Sequence, residues 1–112
     1  MAVLNYASSL NQLRRFEEAK ALLRQKMPVA RRVLGEGREL TLRMRWEYGR
    51  VLYKDDGATL DDLRESVTTL EDTDRIARRV LGGAHPAAMG IEHSLKFSRE
   101  ALRARDTPPS SA

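Results

Sequence analysis

The residues that could do catalytic or metal chemistry are few, and their spacing does not suit it. His85 and His93 are eight positions apart without an accompanying metal-ligand motif, and the chain has no cysteine. The run Glu92-His93-Ser94 does not form a catalytic group, because consecutive residues on a helix do not face one another. Gly82-Gly83 lacks the following Lys-Ser/Thr of a phosphate-binding loop. We therefore expect no enzyme activity, no metal and no cofactor.

The charge of the chain permits acidic partners without requiring them. It has 20 Lys and Arg against 16 Asp and Glu among 112 residues, a net charge of +4. Three arginine pairs, Arg14-Arg15, Arg31-Arg32 and Arg78-Arg79, raise nucleic-acid binding as a less favoured alternative. Acids and bases are interspersed along most of the chain, which is typical of a solvated helical surface. No apolar run approaches the roughly 18 residues of a membrane span, and the absence of cysteine agrees with the cytoplasmic location that we expect.

One string of six residues organises the sequence, because it occurs twice. Ala30-Arg31-Arg32-Val33-Leu34-Gly35 returns unchanged as Ala77-Arg78-Arg79-Val80-Leu81-Gly82. The copies begin at positions 30 and 77, so the offset is 47 residues. Self-similarity over tens of residues is the signature of architectures built by stacking one structural unit on the next.

The elements between these strings are predicted to be helical. Apolar residues spaced three and four apart indicate five helices, at 1–13, 16–34, 38–54, 60–81 and 86–105. Gly35 and Gly82 suit left-handed C-caps, and Thr59 with Asp62 suits a capping box. Short turns between helices predict an all-α fold of antiparallel helical hairpins, stacked as a short solenoid. Residues 106–112 lack an apolar stripe and are expected to form a disordered tail.

The motifs in order resemble one family of helical repeats. Asn5-Tyr6-Ala7 followed by the segment 13–23 resembles the tetratricopeptide repeat (TPR). Val-Leu-Gly at 33–35 and again at 80–82, with His85-Pro86 opening a further helix, resembles the long variety found in kinesin light chains. The resemblance extends over about residues 2–105.

The resemblance implies how the chain is divided. Residues 1–105 would form a TPR-like domain, with repeat 1 at about 2–37, repeat 2 at 38–84 and a C-terminal capping helix at 85–105. Ala7 and Gly49, 42 residues apart, would be the small residues at which helices cross closely. Lys96 stands at the corresponding place in the fifth helix, where a long charged side chain would prevent such a crossing.

The resemblance also implies a function and a site. In this family the first helices of successive repeats line a concave groove that holds peptide ligands, often with an asparagine at the position of Asn5. Glu47 and Ser94 take that position in the next two repeats. With these residues facing it, the groove would be polar and basic, and suited to an acidic peptide. The predicted partner-binding residues are Asn5, Ser9, Gln12, Arg43, Glu47, Arg50 and Lys54.

Two roles stay open at this stage. The first is a protein–protein interaction scaffold that binds a peptide or a partner subunit through the concave face. The second is a purely structural subunit, or a stretch of solenoid that docks on further repeats or another subunit of a larger assembly.

Overall fold

Five helices joined by short turns make up the protein, as the sequence predicts. The computed structural model describes residues 2–106, apart from the side chain of Ala2. Met1 and the predicted tail beyond Asp106 lie outside the described residues, whereas Asp106 itself belongs to the last helix. The helices are α1 (Ala2–Gln12), α2 (Phe16–Val33), α3 (Glu39–Lys54), α4 (Leu60–Val80) and α5 (Pro86–Asp106). The described residues contain no strand, and the all-α prediction is confirmed.

Consecutive helices run antiparallel and stack in two layers. The start of α2 lies beside the end of α3, where Lys20 Nζ is 3.4 Å from Asp55 Oδ2. Hydrogen bonds join Tyr48 to Glu65 and Ser66 to Ser98, linking α3 to α4 and α4 to α5. Helix α3 also contacts α1 and α5, but within residues 2–106 no Cα atom of α1 lies within 8 Å of one in α4 or α5. Helices α1, α3 and α5 therefore form one layer, and α2 and α4 form the other, in an open stack.

The two copies of the repeated string adopt the same structure. Leu34 N–H donates to the Ala30 carbonyl at 2.8 Å, and Leu81 N–H donates to the Ala77 carbonyl at the same distance. Gly35 and Gly82 follow with φ of +96° and +90°, the left-handed conformation in which glycine avoids a steric penalty. Each glycine ends a helix, and the next helix begins four residues later, at Glu39 and at Pro86. The predicted C-caps are confirmed.

Helix α4 begins with the capping arrangement expected from the sequence. The Thr59 side chain accepts a hydrogen bond from the backbone of Asp62, and the Asp62 carboxylate accepts one from the backbone of Thr59. This reciprocal pair satisfies two backbone donors that a helix start otherwise leaves unbonded. The backbone bond lowers the pKa of Asp62, because it stabilises the ionised carboxylate.

A close helix crossing at Gly49 joins α3 to α4. A Cβ atom at this position would stand 2.6 Å from Leu70 Cγ, well inside van der Waals contact. The Ser66 hydroxyl donates to the Gly49 carbonyl at 2.7 Å, so a short side chain of α4 reaches the backbone of α3 here. Ala7, the corresponding small residue of α1, is fully buried. The sequence expectation that both positions must be small agrees with this packing.

Tyr48 ties three helices together beside that crossing. Its buried hydroxyl donates to Glu65 on α4 at 2.5 Å and accepts from Arg24 Nε on α2 at 2.8 Å. Burial, reinforced by the Glu65 carboxylate, raises the pKa of Tyr48 to about 12. The phenol therefore stays protonated, and able to donate, through the neutral range.

The buried apolar residues include two core clusters, one formed by α1, α2 and α3 and the other by α3, α4 and α5. The first includes Phe16, Leu23 and Leu52, and the second includes Leu42, Ile76 and Ile91. Several residues that belong to the predicted apolar stripes by their spacing are instead exposed, among them Leu13, Val33, Val80 and Met89. Leu13 lies one residue beyond the end of α1, and no neighbouring helix covers Val33 at the end of α2.

The length and the apolar character of the described helices decide whether any of them could span a membrane. None of those within residues 2–106 combines the length and the apolar character needed to cross a bilayer.

The crossing at Gly49 yields the first testable prediction. Gly49→Ala should lower the free energy of unfolding by about 2 kcal/mol, because overpacking against Leu70 outweighs the better helix propensity of alanine. Chemical denaturation followed by circular dichroism measures the change. Gly83→Ala is the matched control, since no atom lies within 4 Å of a Cβ there, and its effect should stay within about 0.5 kcal/mol. Equal stability of the two variants would show that the crossing is not tight.

Candidate peptide-binding face

Two neighbouring clefts lie on the surface of α1, α3 and α5 that is turned away from α2 and α4, here called the A face. The first, between α1 and α3, has a volume of about 240 Å³. The second, between α3 and α5, has a volume of about 490 Å³. Trp46 and Arg50 line both clefts, so the two are adjacent along α3. Helix α3 is therefore the centre of the A face.

The A face brings together five of the seven residues predicted from the sequence. The cleft between α1 and α3 is lined by Asn5, Arg43, Glu47 and Arg50, together with Leu4, Ser8 and Trp46. Lys54 lines the neighbouring cleft with Arg50. Ser9 and Gln12 are exposed on α1 and line neither cleft. Whether any of the seven binds a partner stays a prediction.

Glu47 differs from the other predicted residues because it is engaged within the fold. Its side chain is only 7% exposed. Asn11 Nδ2 donates to Glu47 Oε2 at 2.8 Å, and Arg50 Nη1 lies 3.5 Å from Glu47 Oε1. The carboxylate therefore connects α1 to α3 and contacts the guanidinium of Arg50. Asn11, which sequence reasoning did not select, supplies the amide that holds it.

The cations of the A face differ in how far they are neutralised. Arg43 Nε donates to Glu39 Oε2 at 2.9 Å, one turn earlier on the same helix. Arg50 has the longer contact with Glu47, and Lys54 forms no ion pair within the described residues. Burial and the nearby positive charge of Arg50 lower the pKa of Lys54, with Glu47 opposing them. The Arg50–Lys54 end of α3 is thus a positive site with room for an anion.

Aromatic side chains form the wall beside these cations. The Trp46 indole lies against Gly90 of α5, and its Nε1 donates to Ser94 Oγ at 2.8 Å. A Cβ atom at Gly90 would overlap the indole ring, so the absence of a side chain there leaves room for the indole to pack. His93 and Phe97 stack edge to face with ring centres 4.7 Å apart and planes at 89°. The second cleft thereby combines flat apolar surfaces with two cations.

Sequence reasoning missed this aromatic wall, although a signal for it existed. Trp46, Arg50 and Tyr53 follow one another at four and three residues along α3, and Gly90, His93 and Phe97 at three and four along α5. Residues with such spacing share one face of a helix. Treating the two helices together would have placed both sets on the surface that now forms the second cleft.

Comparisons of the chain with protein-family models, with curated proteins and with solved structures gave no match. The character of the site therefore rests on its own residues.

The coupling of Lys54 to Arg50 can be measured directly. Arg50→Gln should raise the pKa of Lys54 towards its ordinary value, because it removes a positive charge that disfavours the charged ammonium. An NMR titration of the Lys54 side chain reports this value. Arg43→Gln is the control: Arg43 lies three turns away along α3, about 16 Å by helix geometry, and exposed charges that far apart are largely screened. An unchanged Lys54 pKa in Arg50→Gln would mean that the two cations are not coupled.

Proposed function

We propose that this protein is a protein–protein interaction module of the TPR-like kind, and that its A face binds an acidic segment of a partner protein. The proposal rests on the positive charge at the Arg50–Lys54 end of α3. It presents incompletely neutralised positive charge next to Trp46, where the two clefts meet. A peptide lying across α1, α3 and α5 would pass over this point.

The chemistry of the A face suits a peptide with carboxylates and apolar side chains. Carboxylates of the ligand would replace the solvent that now surrounds Lys54, and charge-assisted hydrogen bonds are stronger than neutral ones. Apolar side chains would cover the faces of Trp46 and Phe97, which rigid aromatic rings offer at low entropic cost. Asn5 lies beside Arg43 in the first cleft and offers an amide, which both donates to and accepts from a peptide backbone.

Nucleic-acid binding is less well supported by the arginine pairs. Salt bridges inside the protein engage Arg14 with Asp56, Arg15 with Glu18, and Arg31 with Glu36. Arg78 contacts both Asp74 and Glu92. Phosphates would have to displace these carboxylates, so we keep the acidic peptide as the proposed ligand. A structural subunit that only stacks on its neighbours would leave the A face without a ligand, and the experiment below distinguishes the two.

The test is a binding series with defined peptides. A peptide array keeps apolar positions constant and varies the net charge from strongly acidic to strongly basic. The acidic members should bind, and their affinity should fall as salt is raised. With the best acidic peptide, Arg50→Gln/Lys54→Gln should weaken binding on the order of tenfold or more, because two charge-assisted contacts are lost. Fluorescence anisotropy gives the dissociation constants.

Two further variants make the result interpretable. Arg32→Gln/Arg79→Gln removes the same net charge from exposed positions of the repeated strings and should leave the affinity unchanged. Lys54→Gln alone breaks no ion pair within the described residues, so it should weaken binding without affecting the melting temperature. If acidic peptides bind no better than basic ones, or if the Arg32/Arg79 control weakens binding equally, the A face is not the site.

A further inference from the structure

The cleft between α3 and α5 carries positive charge with no acidic side chain in its lining. Arg50 and Lys54 line this cleft, and no Asp or Glu among residues 2–106 does. The neighbouring cleft between α1 and α3 differs, because the carboxylate-bearing Glu47 lines it together with Arg43 and Arg50. The uncompensated positive charge of the A face is therefore concentrated between α3 and α5.

Both cations of this cleft keep hydrogen-bond donors for a ligand. Arg50 has one ion pair within the described residues, at 3.5 Å from Glu47, and its side chain is 31% exposed. A guanidinium has five N–H donors and an ammonium has three, so most of those on Arg50 remain available. Lys54 is exposed and forms no ion pair within residues 2–106. Tyr53 also lines the cleft, and its hydroxyl forms no hydrogen bond within the described chain.

The number of acceptor atoms decides which anion suits two such cations. The fork of one guanidinium already occupies both oxygens of a carboxylate, which would leave Lys54 without a partner. A phosphate monoester presents three strong acceptor oxygens and a charge of about −1.5 to −2 at neutral pH. It can accept from Arg50 and Lys54 together, since the two residues are one turn apart on the same face of α3.

The positive charge of Arg50 already acts on Lys54. Burial and this neighbouring charge lower the pKa of Lys54, although Glu47 opposes them. An anion bound between the two cations would relieve their repulsion. The gain would be larger for a group with two negative charges than for a group with one.

Aromatic surface lies beside the cations in the same cleft. Trp46 precedes Arg50 by one turn of α3, and Lys54 follows by another, so the cations lie about 6 and 12 Å along the helix from Trp46. Phe97 of α5 lines the cleft as well and is 46% exposed. The cleft, with a volume of about 490 Å³, therefore has a flat apolar part and a cationic part.

We propose that this cleft binds a phosphorylated tyrosine of the partner protein, with the phosphate between Arg50 and Lys54 and the ring against Trp46 and Phe97. The inference rests on the proposed function and names the acidic group of the ligand. A phosphorylated serine would occupy the cationic part alone, whereas phosphotyrosine carries a ring and a phosphate on one side chain. Phosphorylation of the partner thereby controls its binding.

A nucleic-acid strand also offers phosphates and flat rings, but it suits the A face less well. Its further phosphates would pass over the cleft between α1 and α3, where Glu47 adds negative charge. Arg43, the other cation there, is already paired with Glu39 at 2.9 Å. Only the cleft between α3 and α5 meets the charge of a phosphate, which favours a ligand with a single one.

Four peptides that differ at one central position test the proposal. The position carries phosphotyrosine, tyrosine, phosphoserine or p-carboxymethylphenylalanine, with uncharged residues on either side. Isothermal titration calorimetry with the whole chain gives the dissociation constants. Phosphotyrosine should bind about tenfold or more tightly than each of the others. The carboxymethyl analogue keeps the ring with a single negative charge, and phosphoserine keeps the phosphate without the ring.

Variants of the protein assign the two parts of the cleft. Lys54→Gln should weaken phosphotyrosine binding about tenfold and should affect the carboxymethyl analogue less, because Arg50 alone matches a carboxylate. Phe97→Ala should weaken phosphotyrosine binding several-fold and leave phosphoserine binding unchanged. Arg79→Gln removes a charge from an exposed position of α4 and is the control. Circular dichroism verifies that each variant is folded.

The outcomes separate this inference from the proposed function. If peptides rich in Asp and Glu bind the A face but phosphotyrosine binds no more tightly than the carboxymethyl analogue, the proposed function stands and this inference is wrong. Equal affinity for phosphoserine and phosphotyrosine would also overturn the inference. So would a single-stranded oligonucleotide that displaces the phosphotyrosine peptide at equal concentration, since it would make the cleft a nucleic-acid site. If neither acidic nor phosphorylated peptides bind, both proposals are wrong.

Discussion

The structure depends on the close approach of α3 and α4 at Gly49. A side chain there would overlap Leu70, so the absence of a Cβ atom sets the distance between the two helices. At that distance Ser66 reaches the Gly49 carbonyl and also shares a hydrogen bond with Ser98 of α5, at 2.7 Å in each case. The absence of a side chain at Gly49 thereby fixes the spacing of α3, α4 and α5. The position of α3 in turn determines the A face, since both clefts are lined by its residues.

The two helical repeats end in the same kind of turn and differ in their surfaces. Gly35 and Gly82 follow α2 and α4 in the same left-handed conformation and after the same cap hydrogen bonds, and the next helix begins four residues later each time. The surroundings of equivalent side chains differ: Ile76 of α4 is 8% exposed, whereas Val29 at the corresponding position of α2 is 45% exposed. Repetition of the backbone thus gives equivalent positions, while the side chains and the neighbours at those positions differ. The same logic applies to Lys96, which is exposed where Gly49 is buried.

Local signals in the sequence predicted most of the fold. Glycine after an apolar stripe, and Thr59 three residues before Asp62, mark helix ends because they act through bonds within one turn. The place of Glu47 was predicted as well, but not its burial against Asn11, which lies 36 residues away in sequence. The packing of Trp46 against Gly90 was not predicted either, because these two residues also lie far apart in sequence. These features arise only once α1, α3 and α5 lie side by side, and no periodicity within a single helix encodes that alignment.

The central claim is that α3 stacks directly on its neighbours in an open array held by close glycine contacts. Nuclear Overhauser measurements on the intact chain test it most directly. The account predicts strong effects between the Gly49 Hα protons and the Leu70 methyl groups, and between the Gly90 Hα protons and the Trp46 ring. It also predicts none between α1 and α5, which share no close Cα pair in the described residues. Contacts between α1 and α5, with the Gly49–Leu70 effect missing, would reveal a closed bundle and contradict the account.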